Sequence, residues 1–198
     1  RSRDPDTAVI VPSRKKDLSG SHRRHEYVDL GLSVKWATCN IGAKAPDDPG
    51  NLYAWAETEQ KYVYSWSNYK WCKGIEDELT KYCTVSSYGY NGFTDNKIGL
   101  DSEDDVAHVK WGGRWRMPTV DEFMELCLNC TWTWTTCNNV YGYRITSRIP
   151  GYDDRYIFLP TCDDYSGLFP FHVGFQGEYM SSSLSPNYPS SCYILMFT

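Results

Sequence analysis

No lysine or arginine follows Arg155, and no tryptophan lies outside the span from Trp36 to Trp134. The body after residue 25 is acidic and aromatic, so no nucleic-acid partner is expected. No apolar run approaches the roughly 18 residues of a membrane span, so no span is expected either, and nothing resembles a signal peptide. The GxSxG elbow, the GxxxxGK[ST] and GxGxxG phosphate loops and the HExxH zinc motif are all missing. The four histidines, His22, His25, His108 and His172, are scattered. Asp163 and Asp164 are neighbours, and neighbouring carboxylates seldom face one pocket. No catalytic residue, cofactor or metal is therefore expected, and the chain reads as a non-enzyme.

Charge is unevenly distributed. Residues 1–25 carry seven Lys/Arg against three Asp/Glu, and the remainder thirteen against twenty-two, for a net charge of −5. The basic stretch reads as a leader or linker with a possible strand at 6–12, and the domain as 26–198. The eight cysteines exceed ordinary cytosolic use, but Cys127 and Cys130 form the only CxxC. With no second CxxC or histidine pair, buried thiols or a single disulfide are expected in preference to zinc.

Most local signals converge on residues 111–134. Thr119 stands where an N-cap belongs, and Glu122 three residues later completes a capping box. Behind it Val120, Phe123, Met124, Cys127 and Leu128 recur at helical spacing, predicting a helix over 120–129 with that face buried. Thr131 to Thr135 alternates with period two, as a strand does. Further strands are expected at 27–30, 34–38, 140–145, 156–159 and 193–197. The acidic run 101–105 predicts an N-capped short helix, with His108 as a partner for its carboxylates, and does not match a calcium loop. Residues 60–100 read as long ordered loops pinned by aromatics. The sum is an α+β domain of short strands, two helices and extended loops.

After Arg155 the composition turns to Ser (seven), Tyr (five) and Phe (five). Aromatics in stretches with no strand or helix period either pack under irregular backbone or form a contact surface of paratope-like composition. The second reading makes Asp163, Asp164, Tyr165, Leu168, Phe169, Phe171, His172, Phe175, Glu178, Met180 and Tyr188 candidate ligand-binding residues. Trp36, Trp115, Trp132 and Trp134 are then the scaffold that holds them.

EYVDLGLSVKWATCNIG (26–42), LYAWAET (52–58), YSWSNYKWC (64–72), LTKYC (79–83), EDDVAHVKWGGRWRMPT (103–119), CTWTWTT (130–136), IFLPT (157–161) and GEYMSSSL (177–184) form an ordered series. The series resembles the major-paralogous-domain proteins of gut bacteria, which are similar to the sulfatase-modifying-factor branch of the C-type lectin fold. The resemblance implies a C-type-lectin-like α+β fold with short mixed or antiparallel sheets, in which 27–30 and 193–197 pair. It implies an extracellular or cell-surface location on an envelope, pilus or phage particle. It does not bring calcium-lectin chemistry, because EPN, QPD and WND are absent. Family members carry Trp where Met180 stands.

The same fold is the scaffold of variable proteins diversified by retroelements, whose C-terminal residues meet a receptor. Tyr, Ser, Asn, Asp, Phe, Leu, Pro, His and Cys suit that mechanism, whereas Glu178, Met180 and Met196 stand outside the set. A protein or glycan receptor on another cell surface is the expected partner, with an assembly partner for the N-terminal segment as a second. The alternatives are an enzyme of the sulfatase-modifying type and a structural envelope or pilus subunit.

Overall fold

Helix α2 (Val120–Asn129) starts at the cap that the sequence marks. The computed structural model describes residues 19–162, 164–166, 169–171 and 174–198. In it the Thr119 hydroxyl accepts from the Glu122 amide at 3.3 Å, and the Glu122 carboxylate accepts from the Thr119 amide at 2.8 Å. Arg116 grips the same carboxylate with both Nη atoms, at 2.8 and 2.5 Å. Thr119→Ala is expected to cost about 1 kcal/mol, read as a lower denaturation midpoint.

The buried face of α2 is narrower than expected. Phe123 and Leu126 are buried and Cys130 follows on the same side, whereas Met124, Cys127 and Leu128 are exposed. Each residue turns the helix by about 100°, so Met124 and Leu128 lie more than about 120° from the centre of that face.

Four small antiparallel sheets make up the strand content of the described residues. β1 (Ser19–His22), β2 (His25–Val28) and β3 (Trp36–Ala37) form the first. Arg23 and Arg24, both at positive φ, make the β1–β2 turn, so the boundary expected at 26 falls inside a hairpin. Residue 22 is tied to the body: its carbonyl accepts from Trp115 Nε1 at 2.8 Å. β4 (Cys130–Cys137), β5 (Val140–Ser147) and β6 (Tyr156–Pro160) form the largest sheet. Asn138 and Asn139, again at positive φ, supply the two-residue turn between β4 and β5. β7 (Asp164–Ser166) pairs with β8 (Phe169–Phe171), and β9 (Gly177–Leu184) pairs with β10 (Cys192–Phe197).

The expected pairing of 27–30 with 193–197 does not occur. β2 is flanked by β1 and β3 and has no open edge, so β10 pairs with β9 in another sheet. The two ends meet through side chains instead: Val28, Leu30, Leu195 and Phe197 share one core with Trp36, Phe123, Leu126, Ile145, Ile157 and Leu159. Gly177 admits this packing, since a Cβ there would stand 2.2 Å from the Phe197 ring.

Residues 60–100 hold their shape with little regular structure, as expected, and 52–59 join them. Trp55 Nε1 donates to the Ser181 carbonyl at 2.8 Å, and Trp71 Nε1 to the Ala56 carbonyl at 3.0 Å. Both indoles meet the Tyr82 ring edge-on. The acidic run anchors the same region. Asp104, only 1 % exposed, accepts from Lys81 at 2.6 Å, Tyr82 at 2.7 Å and Lys70 at 3.3 Å. Asp105 caps α1 (Val106–Trp111) by accepting from the Ala107 and His108 amides, and also holds the Met117 amide at 2.8 Å. His108 meets the Asp105 carboxylate through its amide at 3.1 Å, while its ring Nδ1 faces the Trp115 carbonyl at 3.2 Å. Among the described residues, no helix is long and apolar enough to cross a membrane.

Candidate functional site

Between β6 and β9 the chain makes an excursion, 163–175, whose base is closed. The Cys162 amide donates to the Gln176 carbonyl at 2.9 Å, and the Glu178 amide donates to Cys162 Sγ at 3.3 Å. Gln176 Nε2 reaches Glu178 Oε1 at 2.5 Å. The excursion contains the β7–β8 hairpin, in which Asp164 stands opposite Phe171 and Tyr165 opposite Pro170. Asp164, Tyr165, Phe169 and Phe171 are therefore on one hairpin. Asp163, Leu168 and His172 lie outside the described residues.

Phe175, at the base of the excursion, is 73 % exposed. Two other exposed aromatics stand at the same end of the molecule. The Thr161 amide bonds the Tyr141 carbonyl at 2.8 Å, and Phe197, paired with Gly177, has its ring 6.4 Å from that of Trp134. Trp134 and Tyr141 stack at 5.7 Å with an 8° interplanar angle, and remain 39 % and 50 % exposed.

The place of Trp134 corrects the expected scaffold. Trp36 and Trp115 are fully buried and Trp132 is half-buried against the main core, but Trp134 is a surface residue. Alternation puts Trp132 and Trp134 on one face of β4. Both rings reach Phe197, at 6.5 and 6.4 Å, but Trp132 packs against the core, whereas Trp134, two residues nearer the Asn138–Asn139 turn, does not. Period two in the sequence reports the face and not how far the core extends beneath it.

Tyr188 is 62 % exposed but belongs elsewhere. It lies in the turn after Leu184, whereas Phe175 precedes Gly177, and the eight residues of β9 between them span about 24 Å. The expected face over 162–192 thus divides into two ends. The Tyr188 end borders the 52–100 region, where Thr84 Oγ1 donates to the Pro186 carbonyl at 2.7 Å.

Glu178 and Met180 line a pocket of about 270 Å3 between β9, α1 and the 40–53 segment. Its other walls are mostly apolar, among them Leu52, Val106, Trp111 and Met117. Nothing in the one-dimensional pattern announced it, because its walls come from segments more than a hundred residues apart.

Six of the eight cysteines are held in the unreactive thiol form. None of the eight is in a disulfide. Burial pushes Cys39, Cys83, Cys127, Cys130, Cys137 and Cys192 upward, Cys130 and Cys192 to about 12, so these six are protonated at neutral pH. The CxxC places Cys127 on the surface and Cys130 in the core. Among the described residues no cluster of three His, Cys, Asp or Glu side chains is placed to hold a metal ion. Asp101, the first of the acidic run, is occupied by Lys81 at 2.7 Å and Lys97 at 2.6 Å.

Comparison with protein-family models, with curated proteins and with solved structures finds no match.

Proposed function

We propose that this is an extracellular, cell-surface domain, C-type-lectin-like in fold, that binds a receptor without catalysing a reaction. The contact surface is the β7–β8 hairpin together with Phe175, Trp134 and Tyr141. The observation that carries the reading is the gathering of these three exposed aromatics at the closed base of a separately paired hairpin. Exposed aromatic rings on a fixed base bury large area at little entropic cost, and such rings are enriched at binding hot spots. A base held by Cys162, Gln176 and Glu178 lets the residues beyond it change without disturbing β6 or β9. That separation, with the Ser, Tyr and Phe content of 156–198, supports a segment diversified by a retroelement.

The test applies labelled domain to arrays of glycans and of cell-surface proteins. Phe175→Ala and Trp134→Ala are each expected to weaken the captured interaction at least tenfold, about 1.4 kcal/mol or more. Each should cost under about 1 kcal/mol of stability, as surface changes do. Full binding by both variants rejects the proposed surface.

A further inference from the structure

The pocket between β9, α1 and the 40–53 segment is separate from the exposed aromatics of the receptor surface, and its lining describes a different ligand. We infer that it takes a small aromatic molecule, one ring or two fused rings, that bears an N–H or O–H donor and no negative charge. This inference stands independently of the receptor reading.

Size comes first. A dry cavity of about 150 Å3 lined by apolar side chains is enough to admit benzene. At about 270 Å3 this pocket has room for a fused two-ring system. The lining chemistry comes next. Val106, Ala107 and Met117 are buried, so the inner wall is dry core. Trp111 and Trp115, edge to face at 4.8 Å and 79°, add aromatic surface, and the thioethers of Met117 and Met180 both line the space. Ring edges and faces prefer such neighbours: aromatic pairs and sulfur–aromatic contacts are both favourable beyond the area they bury.

Charge then narrows the class. Two charged side chains line the pocket, Arg116 and Glu178. Arg116 is held by both oxygens of Glu122 and also donates to the Met117 carbonyl, so its charge is already matched. Among the described residues the Glu178 carboxylate meets a neutral amide, with Gln176 Nε2 on its Oε1. The net charge presented to a ligand is therefore negative. An anionic ring is repelled, and a ring N–H or O–H gains a carboxylate acceptor.

The probes are 5-fluoroindole and its anionic relative, 5-fluoroindole-3-acetate, followed by 19F line broadening with the full chain. 5-Fluoroindole is expected to saturate with Kd below about 1 mM, and the anionic probe to bind at least tenfold more weakly. Glu178→Gln should narrow that preference at least threefold. Met180→Trp and Leu52→Trp fill the space from two separate segments of its lining, and each should weaken 5-fluoroindole at least tenfold. Leu52 is partly exposed, so its variant decides the outcome even if Met180→Trp does not fold. Phe175→Ala, on the receptor surface, should leave probe binding unchanged, which separates the two readings. Absence of saturation at millimolar probe, unaltered binding by Leu52→Trp, or equal affinity for the anionic probe overturns the inference.

Discussion

Asp104→Ala is expected to cost about 3 kcal/mol of folding free energy, measured by chemical denaturation at neutral pH. The carboxylate is almost wholly buried and receives two ammonium groups and a phenol. Removing one partner of a buried ion pair commonly costs about 3–5 kcal/mol, because the remaining charge stays desolvated. The lower end applies, since Lys81 keeps Asp101 at 2.7 Å and lies over the rings of Trp71 and Tyr82. Tyr82, itself fully buried, also loses its acceptor. A loss under about 1 kcal/mol rejects the account of Asp104 as the anchor of the 52–100 region.

The same cluster sets an acid limit. Burial by itself raises the Asp104 pKa, but the bonds from Lys81, Tyr82 and Lys70 outweigh it and hold the group below its usual value. Bonds from Lys81 and Lys97 hold Asp101 low as well. A carboxylate whose folded pKa is depressed contributes stability that is complete above its unfolded value, about 3.9 for Asp, and vanishes as pH falls through the folded value. The melting temperature should therefore be level near neutrality and drop below about pH 4, with a shallower drop in Asp104→Asn.

Trp36→Ala is expected to cost about 3–5 kcal/mol, and Trp134→Ala under about 1 kcal/mol. Trp36 is fully buried, with its ring 6.0 Å from that of Phe123, at the meeting point of β3, α2 and β10 in the main core. Its removal opens a cavity that all three elements would have to move to fill. Trp134 loses its stack on Tyr141 and its contact with Phe197 but leaves the core closed. Thermal melts of the two variants side by side should differ by many degrees. Equal melts would place Trp134 in the core and remove it from the receptor surface.

The contrast between these two tryptophans shows how far the sequence reaches. Local signals were sufficient wherever neighbours along the chain satisfy each other. Thr119 and Glu122 cap α2 within one turn, and its bounds follow from them. Alternation likewise locates β4, and Asp105 follows from the preference of helix starts for side-chain acceptors. Tertiary structure decided everything that depends on what lies across the gap. It set that both edges of β2 are taken, where the core beneath β4 ends, that Phe175 and Tyr188 stand at opposite ends of β9, and that a pocket forms beside Glu178 and Met180. Periodicity records which way a side chain faces. Burial also requires a covering element, and that element comes from distant sequence whose position is fixed only when the whole core packs.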